Sequence, residues 1–164
     1  MKNLRISIIL SLLIIVLSCP AFSQSKPNSF YLELLGNGGL YSVNYDRLFT
    51  ENLGGRIGVS YLSSFDFIFT SVENLLLVPI MLNYFVGNNH KLELGAGVVI
   101  VSADNIGFFG LESGSVGTAI GGTATIGYRY QPSNGGFLFR IGFSPFFADD
   151  GFAASGGISL GFSF

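Results

Sequence analysis

Phe137-Leu138-Phe139-Arg140-Ile141-Gly142-Phe143-Ser144 decides how this chain is read. Its odd positions are all large and apolar, while the even positions after Leu138 are Arg, Gly and Ser. A period of two marks a β-strand with one apolar face. The last segment has the same pattern, with Ile158, Leu160, Phe162 and Phe164 set against Ser159, Gly161 and Ser163. Further back, Leu92, Leu94, Ala96, Val98 and Ile100 alternate with Glu93, Gly95, Gly97, Val99 and Val101. Ile57, Val59 and Tyr61 likewise face away from Arg56, Gly58 and Ser60.

Turn signals separate these runs. Eight strands are expected, at about Ser29–Leu35, Leu40–Leu48, Gly54–Leu62, Leu75–Val86, Lys91–Ser102, Val116–Tyr130, Phe137–Phe147 and Ser155–Phe164. The connections are Gly36–Gly39, Thr50–Asn52, a longer Ser63–Asn74, Gly87–His90, a longer Ala103–Ser115, Gln131–Gly136 and Ala148–Ala154. Asn-Gly and Gly-Gly steps provide the positive φ that tight hairpins need. Most of the strands reach the roughly 9–11 residues that cross a bilayer at a barrel's tilt; the first is short.

Composition separates a barrel in lipid from a soluble sandwich. Of 164 residues only 11% are charged, against about 25% in soluble domains. Aromatics reach 15%, and glycine contributes 23 residues. The non-apolar strand faces carry Gly, Ser, Thr and Asn with few charges, which makes a poor surface for water and leaves sheet edges unprotected. With the sheet inverted, the apolar faces meet lipid, the small polar faces line a narrow interior, and closure satisfies the backbone. Tyr84, Tyr128 and Tyr130 suit an aromatic girdle near one end. The expected fold is therefore all-β, an eight-stranded antiparallel up-and-down transmembrane β-barrel.

The first residues have a different character. Lys2 and Arg5 precede an apolar run from Ile6 to Leu17, and Ala21-Phe22-Ser23 offers small residues for a peptidase. This is the layout of a secretory signal, so residues 1–23 are expected to be a cleaved signal peptide and 24–164 the barrel domain. An uncleaved anchor is the rival, although the run is short of the roughly 20 residues a spanning helix needs. A second rival is lipidation at Cys19, the single cysteine, after Val16-Leu17-Ser18. Loss of Lys2 and Arg5 leaves six basic against ten acidic residues, a net charge of −4. No basic cluster suggests nucleic-acid binding.

The stretch Phe30-Tyr31-Leu32-Glu33-Leu34-Leu35-Gly36-Asn37-Gly38-Gly39-Leu40-Tyr41-Ser42-Val43-Asn44-Tyr45-Asp46-Arg47, together with Pro79-Ile80-Met81-Leu82-Asn83-Tyr84 and Gly161-Phe162-Ser163-Phe164, resembles a family of small outer-membrane β-barrel proteins of the Bacteroidetes type. The resemblance covers the whole mature chain. It implies an outer-membrane location and contact with lipid and lipopolysaccharide. It also implies delivery by the barrel assembly machinery, which reads a last strand ending in Phe. It brings no catalytic residues.

The residues that could carry chemistry are few. Asp66, Glu73, Asp104, Glu112, Asp149 and Asp150 fall in connections expected outside the cell, as solvated loops or as carboxylates for divalent cations. His90, the only histidine, falls in a turn with no serine near it in sequence, so no nucleophilic pair is expected. Gly95-Ala96-Gly97 and Gly121-Gly122 lack the spacing of a phosphate cradle. Phe65-Asp66-Phe67-Ile68-Phe69 reads as a strand hairpin extended beyond the membrane, or as a gate for an apolar ligand. No catalytic, cofactor or metal site is expected.

What remains is a set of charges on the inward face: Glu33, Asp46, Arg56, Glu93, Arg129 and Arg140. A hairpin centred on Glu51 sets Asp46 opposite Arg56, and adjacent strands place Glu93 beside Arg129. Arg140 lies across from Arg129, so an acid is needed between them, and Glu93 is the candidate. The expectation is a network that braces a filled lumen, in a barrel with a structural or surface-interaction role. The alternative is a barrel transporting small or apolar solutes. Eight strands leave an interior just wide enough for side chains, which favours the first.

Overall fold

The computed structural model describes residues 26–67, 70–103, 117–148 and 151–164, with residues 64–67, 70–73, 103 and 117 described by backbone alone. Eight strands run in chain order: β1 Asn28–Leu35, β2 Tyr41–Leu48, β3 Leu53–Phe67, β4 Thr70–Gly87, β5 His90–Ala103, β6 Gly117–Tyr130, β7 Gly136–Ala148 and β8 Gly151–Ser163. Each pairs antiparallel with the next, and β1 pairs with β8, so the sheet closes into an up-and-down barrel. Closure leaves no edge strand to protect, the hazard noted for an open sheet of this composition.

The register sets the barrel's shape. From Ser29 the partners run through Asp46, Arg56, Met81, Gly97, Thr123 and Phe146 to Ala153. Across the closing seam, however, Ser29 meets Ser163, ten residues further along β8. That stagger tilts the strands and fixes the width of the interior. It also means that residues paired across a hairpin do not point at the same spot in the lumen.

The two faces of every strand differ as the alternation requires. Phe30, Leu32, Leu82, Leu94, Ile120, Phe143 and Phe162 stand exposed on the outer wall. Glu33, Asp46, Arg129 and Ser159 are buried on the inner wall. An exposed face built almost entirely of large apolar side chains is an inside-out protein by the rules of water-soluble folds. The first and last described residues share one end with the short turns: Asn28 N–H donates to the Phe164 carbonyl, and Lys26 N–H to that of Ser133. His90 opens β5 at this end, with Nδ1 2.6 Å from the Tyr128 hydroxyl and its ring against Tyr130.

Three expected connections differ. Ser63–Asn74 is the extended strand hairpin that its alternation suggested rather than a long loop, because β3 and β4 continue to a pairing of Phe67 with Thr70. Alternation persists through Phe65 and Phe67, so the ladder extends. Ala148–Ala154 shortens likewise, with Ala148 paired to Gly151. Gly36–Gly39 does not lie outside the barrel; its single 3₁₀ turn, Gly36–Gly38, is buried within it. Residues 1–25, the expected signal peptide included, lie outside the described residues, as do Asp104, Glu112, Asp149 and Asp150. Asp66 and Glu73 are placed by backbone only.

Candidate functional site

The middle of the lumen is closed by charge. All six of the inward acids and arginines are buried, none more than 2% exposed. Arg140 on β7 donates from Nε to Glu93 Oε2 at 2.7 Å and from Nη1 to Glu33 Oε1. Arg129 on β6 donates to Asp46 Oδ2 at 2.6 Å and lies 3.8 Å from Glu93 Oε2. Arg56 on β3 completes the set, 3.7 Å from Glu33 Oε1. Three carboxylates thus meet three guanidiniums, and each acid but Asp46 touches two arginines. Such a network suits Arg, whose planar fork can serve several acceptors at once.

Several of these contacts cross the barrel. Asp46 is the backbone partner of Arg56, as the hairpin around Glu51 requires, yet its carboxylate reaches over to Arg129. Arg129 lies opposite Arg140, and Glu93 contacts both guanidiniums. Glu93 is not the register neighbour of Arg129, however. It faces Gly127, and Arg129 faces Lys91. The two are diagonal neighbours on adjacent strands, two residues out of register, and their long side chains still close to 3.8 Å.

Aromatic rings fill the end nearer the termini. The Arg129 guanidinium sits 4.9 Å from the Phe85 ring centre and 5.8 Å from that of Tyr31, and Arg140 lies 5.9 Å from Tyr31. Desolvated cation–π contacts of this kind are worth about 2 kcal/mol or more. Tyr31 fits because Gly161 faces it on β8, where any Cβ would collide with the Tyr31 side chain and the Phe30 carbonyl. Leu48, Leu138 and Gln131 are also buried, and Lys91 has its Nζ 5.6 Å from the Phe85 ring. Strand parity places Tyr31, Phe85 and Lys91 inward as well, beyond the six charges expected from the sequence.

Asn37 had no signal in the sequence. It stands at the middle of the inserted turn, fully buried, with its amide spanning the lumen. Nδ2 donates to Thr123 Oγ1 at 2.7 Å and to the Ala124 carbonyl at 3.2 Å. Oδ1 accepts from Arg56 Nη2, from Thr125 Oγ1 at 2.9 Å and from Ser144 Oγ at 3.1 Å. One side chain therefore ties β1–β2 to β3, β6 and β7. The insertion strains the backbone: Leu35 adopts φ 61° and ψ −156°, a region that is essentially glycine-only and costs about 1–3 kcal/mol. Gly36 follows at φ 80°, and a Cβ there would lie 2.7 Å from the Glu33 carboxylate.

Above Asn37 the character changes again. Leu35, Leu40, Leu75, Leu77, Val99, Val101 and Phe146 surround a cavity of about 190 Å³ at the loop end, with Ser155 at its wall. No group of three or more His, Cys, Asp or Glu suited to a metal ion occurs among the described residues.

No family model and no characterised protein sequence matches the chain. Among solved structures the barrel is similar to the N-terminal β-barrel domain of Pseudomonas aeruginosa OprF, at 14% identity and a TM-score of 0.60, covering 87% of this chain and 98% of that domain. It is also similar to the Yersinia pestis outer membrane protein Ail in a phospholipid bilayer nanodisc, at 13% identity and a TM-score of 0.50, covering 85% of this chain and 99% of that one. At such identities the likeness is one of fold: both structures share the closed antiparallel barrel described above.

Proposed function

We propose that the chain is an exported outer-membrane barrel of the Bacteroidetes type with a structural or surface-interaction role, and that its lumen does not conduct. Residues 1–23 act as the cleaved signal and 24–164 form the barrel. The one observation that carries the reading is the contrast between its walls: an apolar exterior around an interior filled by paired charges, Tyr31, Phe85 and the Asn37 turn. Outward charges near a bilayer midplane cost about 2–4 kcal/mol for Arg, and the six inward ones avoid that cost. Lipid and lipopolysaccharide contact the exterior, and the assembly machinery reads the strand ending at Phe164. The network braces the barrel and performs no catalysis.

The transport alternative requires a path past Asn37 and then past Arg140, both held by several partners. Planar-bilayer recording on the purified protein tests the choice. A silent membrane at neutral pH is expected; steady, ion-selective conductance would overturn the plugged reading.

A further inference from the structure

We propose that the loop end of the lumen is a dead-end binding site for one small, uncharged, largely apolar molecule of single-ring size. The inference goes beyond a bracing role, though it shares with the plugged reading a lumen closed below Asn37.

The space has the size and chemistry for such a guest. Its volume is about 190 Å³. A protein cavity of roughly 150 Å³ lined by Leu, Ile and Phe stays dry and takes up benzene. Here the described lining is Leu, Val, Phe, Gly and Ala, with Asn37 and Ser155 the only polar side chains and no charge. Leu75 and Val99 are almost fully buried, at 5% and 3% exposed, and Leu75 packs with Leu62, Leu77 and Val101. An ion or a sugar would find nothing here to replace its hydration, whereas an apolar ring would gain contacts on every wall.

The polar groups set orientation. Asn37 has its amide committed to the plug beneath. Ser155 Oγ accepts the Gly36 N–H at 3.2 Å. A serine hydroxyl has one proton to donate besides, and that proton has no acceptor among the described residues. Ligand sites are mostly apolar with a few placed polar groups, and this is the pattern found. The favoured guest therefore carries one acceptor oxygen on an apolar ring. The strained Leu35 belongs to the same rim, lining the cavity while remaining half exposed.

The test uses the whole barrel in phospholipid nanodiscs, with p-cresol as probe and toluene as its oxygen-free counterpart. Saturation-transfer NMR follows each titration, and empty nanodiscs give the membrane background. The expected result is a saturable component present only with the protein. Val101→Phe should weaken it at least tenfold, and Val98→Phe, on the outer wall of the same strand, should leave it intact. Ser155→Ala should weaken p-cresol severalfold and leave toluene unchanged. If Val101→Phe does not fold, methyl shifts in the unaltered protein decide: changes confined to Leu75, Leu77 and Val99 support the site, and changes on outer-wall methyls overturn it. Linear uptake equal to that of empty discs, or equal loss in both Phe variants, also overturns it. A conducting lumen with saturable binding would overturn the plugged reading and the closed floor of this site while keeping its apolar guest, and a silent lumen without binding would sink this proposal alone.

Discussion

The middle of the lumen and its mouth are built on the same inward face of the same strands, yet they solve opposite problems. In the middle, Arg56, Arg129 and Arg140 are held against Glu33, Asp46 and Glu93 at full burial. At the mouth, Leu75, Leu77, Val99 and Val101 occupy equivalent positions with no charge among them. On β5 the change takes place between Glu93 and Val99, across Gly95 and Gly97. The comparison teaches that an inward position in a barrel is not one environment. A charged middle is stable only if every member finds a partner, whereas an apolar mouth needs only neighbours of the right size.

The largest expected effect lies in the charged middle. Arg140→Leu removes the hydrogen-bonded partner of both Glu33 and Glu93 and leaves them only the longer contacts to Arg56 and Arg129. Removing one partner of a buried pair costs about 3–5 kcal/mol. Urea unfolding of the refolded barrel, followed by tyrosine fluorescence because the chain has no tryptophan, should show a loss of that order. A loss below about 1 kcal/mol would mean that the network is not structural, and the contrast with the mouth would collapse.

The second expectation sharpens the pairing itself. Asp46→Ala combined with Arg129→Ala should cost less than the sum of the two, by about 0.5–3 kcal/mol, as contacting groups do. The same cycle on Asp46 and Arg56, backbone partners without an ion pair between them, should be closer to additive. Equal coupling in both cycles would restore the cross-strand assignment and remove the cross-lumen one.

The third concerns the boundary between the two regions. Asn37→Ala leaves Thr123, Thr125, Ser144 and Arg56 short of a partner. Thr123 keeps the Pro145 carbonyl, and Thr125 and Ser144 keep each other, so Arg56 Nη2 is the group left stranded. At about 1–3 kcal/mol for one such buried group, a net loss near 2 kcal/mol is expected from the same unfolding measurement. The smallest effect should have the opposite sign. Leu35→Gly relieves a backbone strain of about 1–3 kcal/mol and loses about 0.5–1 to unfolded-chain entropy. The variant should be as stable as the parent or slightly more so, and a clear loss would show that the Leu35 side chain itself holds the mouth together.

Sidedness follows from the same frame. A thiol probe on intact cells should label a cysteine placed at Asp150 or Glu112 but not one at Asn88; equal labelling of all three, or labelling of Asn88 alone, would sink the proposed topology.

Much of this was legible in the chain, for a local reason. Side chains alternate strictly along a strand, so Phe137 to Ser144 and Ile158 to Phe164 declare their faces without any knowledge of neighbours. The same parity puts Glu33, Asp46, Arg56, Glu93, Arg129 and Arg140 inside, and the hairpin around Glu51 is short enough to set Asp46 against Arg56. Glu93 between Arg129 and Arg140 was legible too, but the partner of Asp46 was not. It depends on a stagger of ten residues that accumulates over all eight strands and brings Asp46 to Arg129, 83 positions away. Nor could the sequence place Asn37, because Gly36-Asn37-Gly38 reads as any other tight turn. Whether such a turn points out to solvent or down into the lumen is settled by what waits there: Thr123, Thr125, Ser144 and Arg56, gathered from three distant strands only once the barrel has closed.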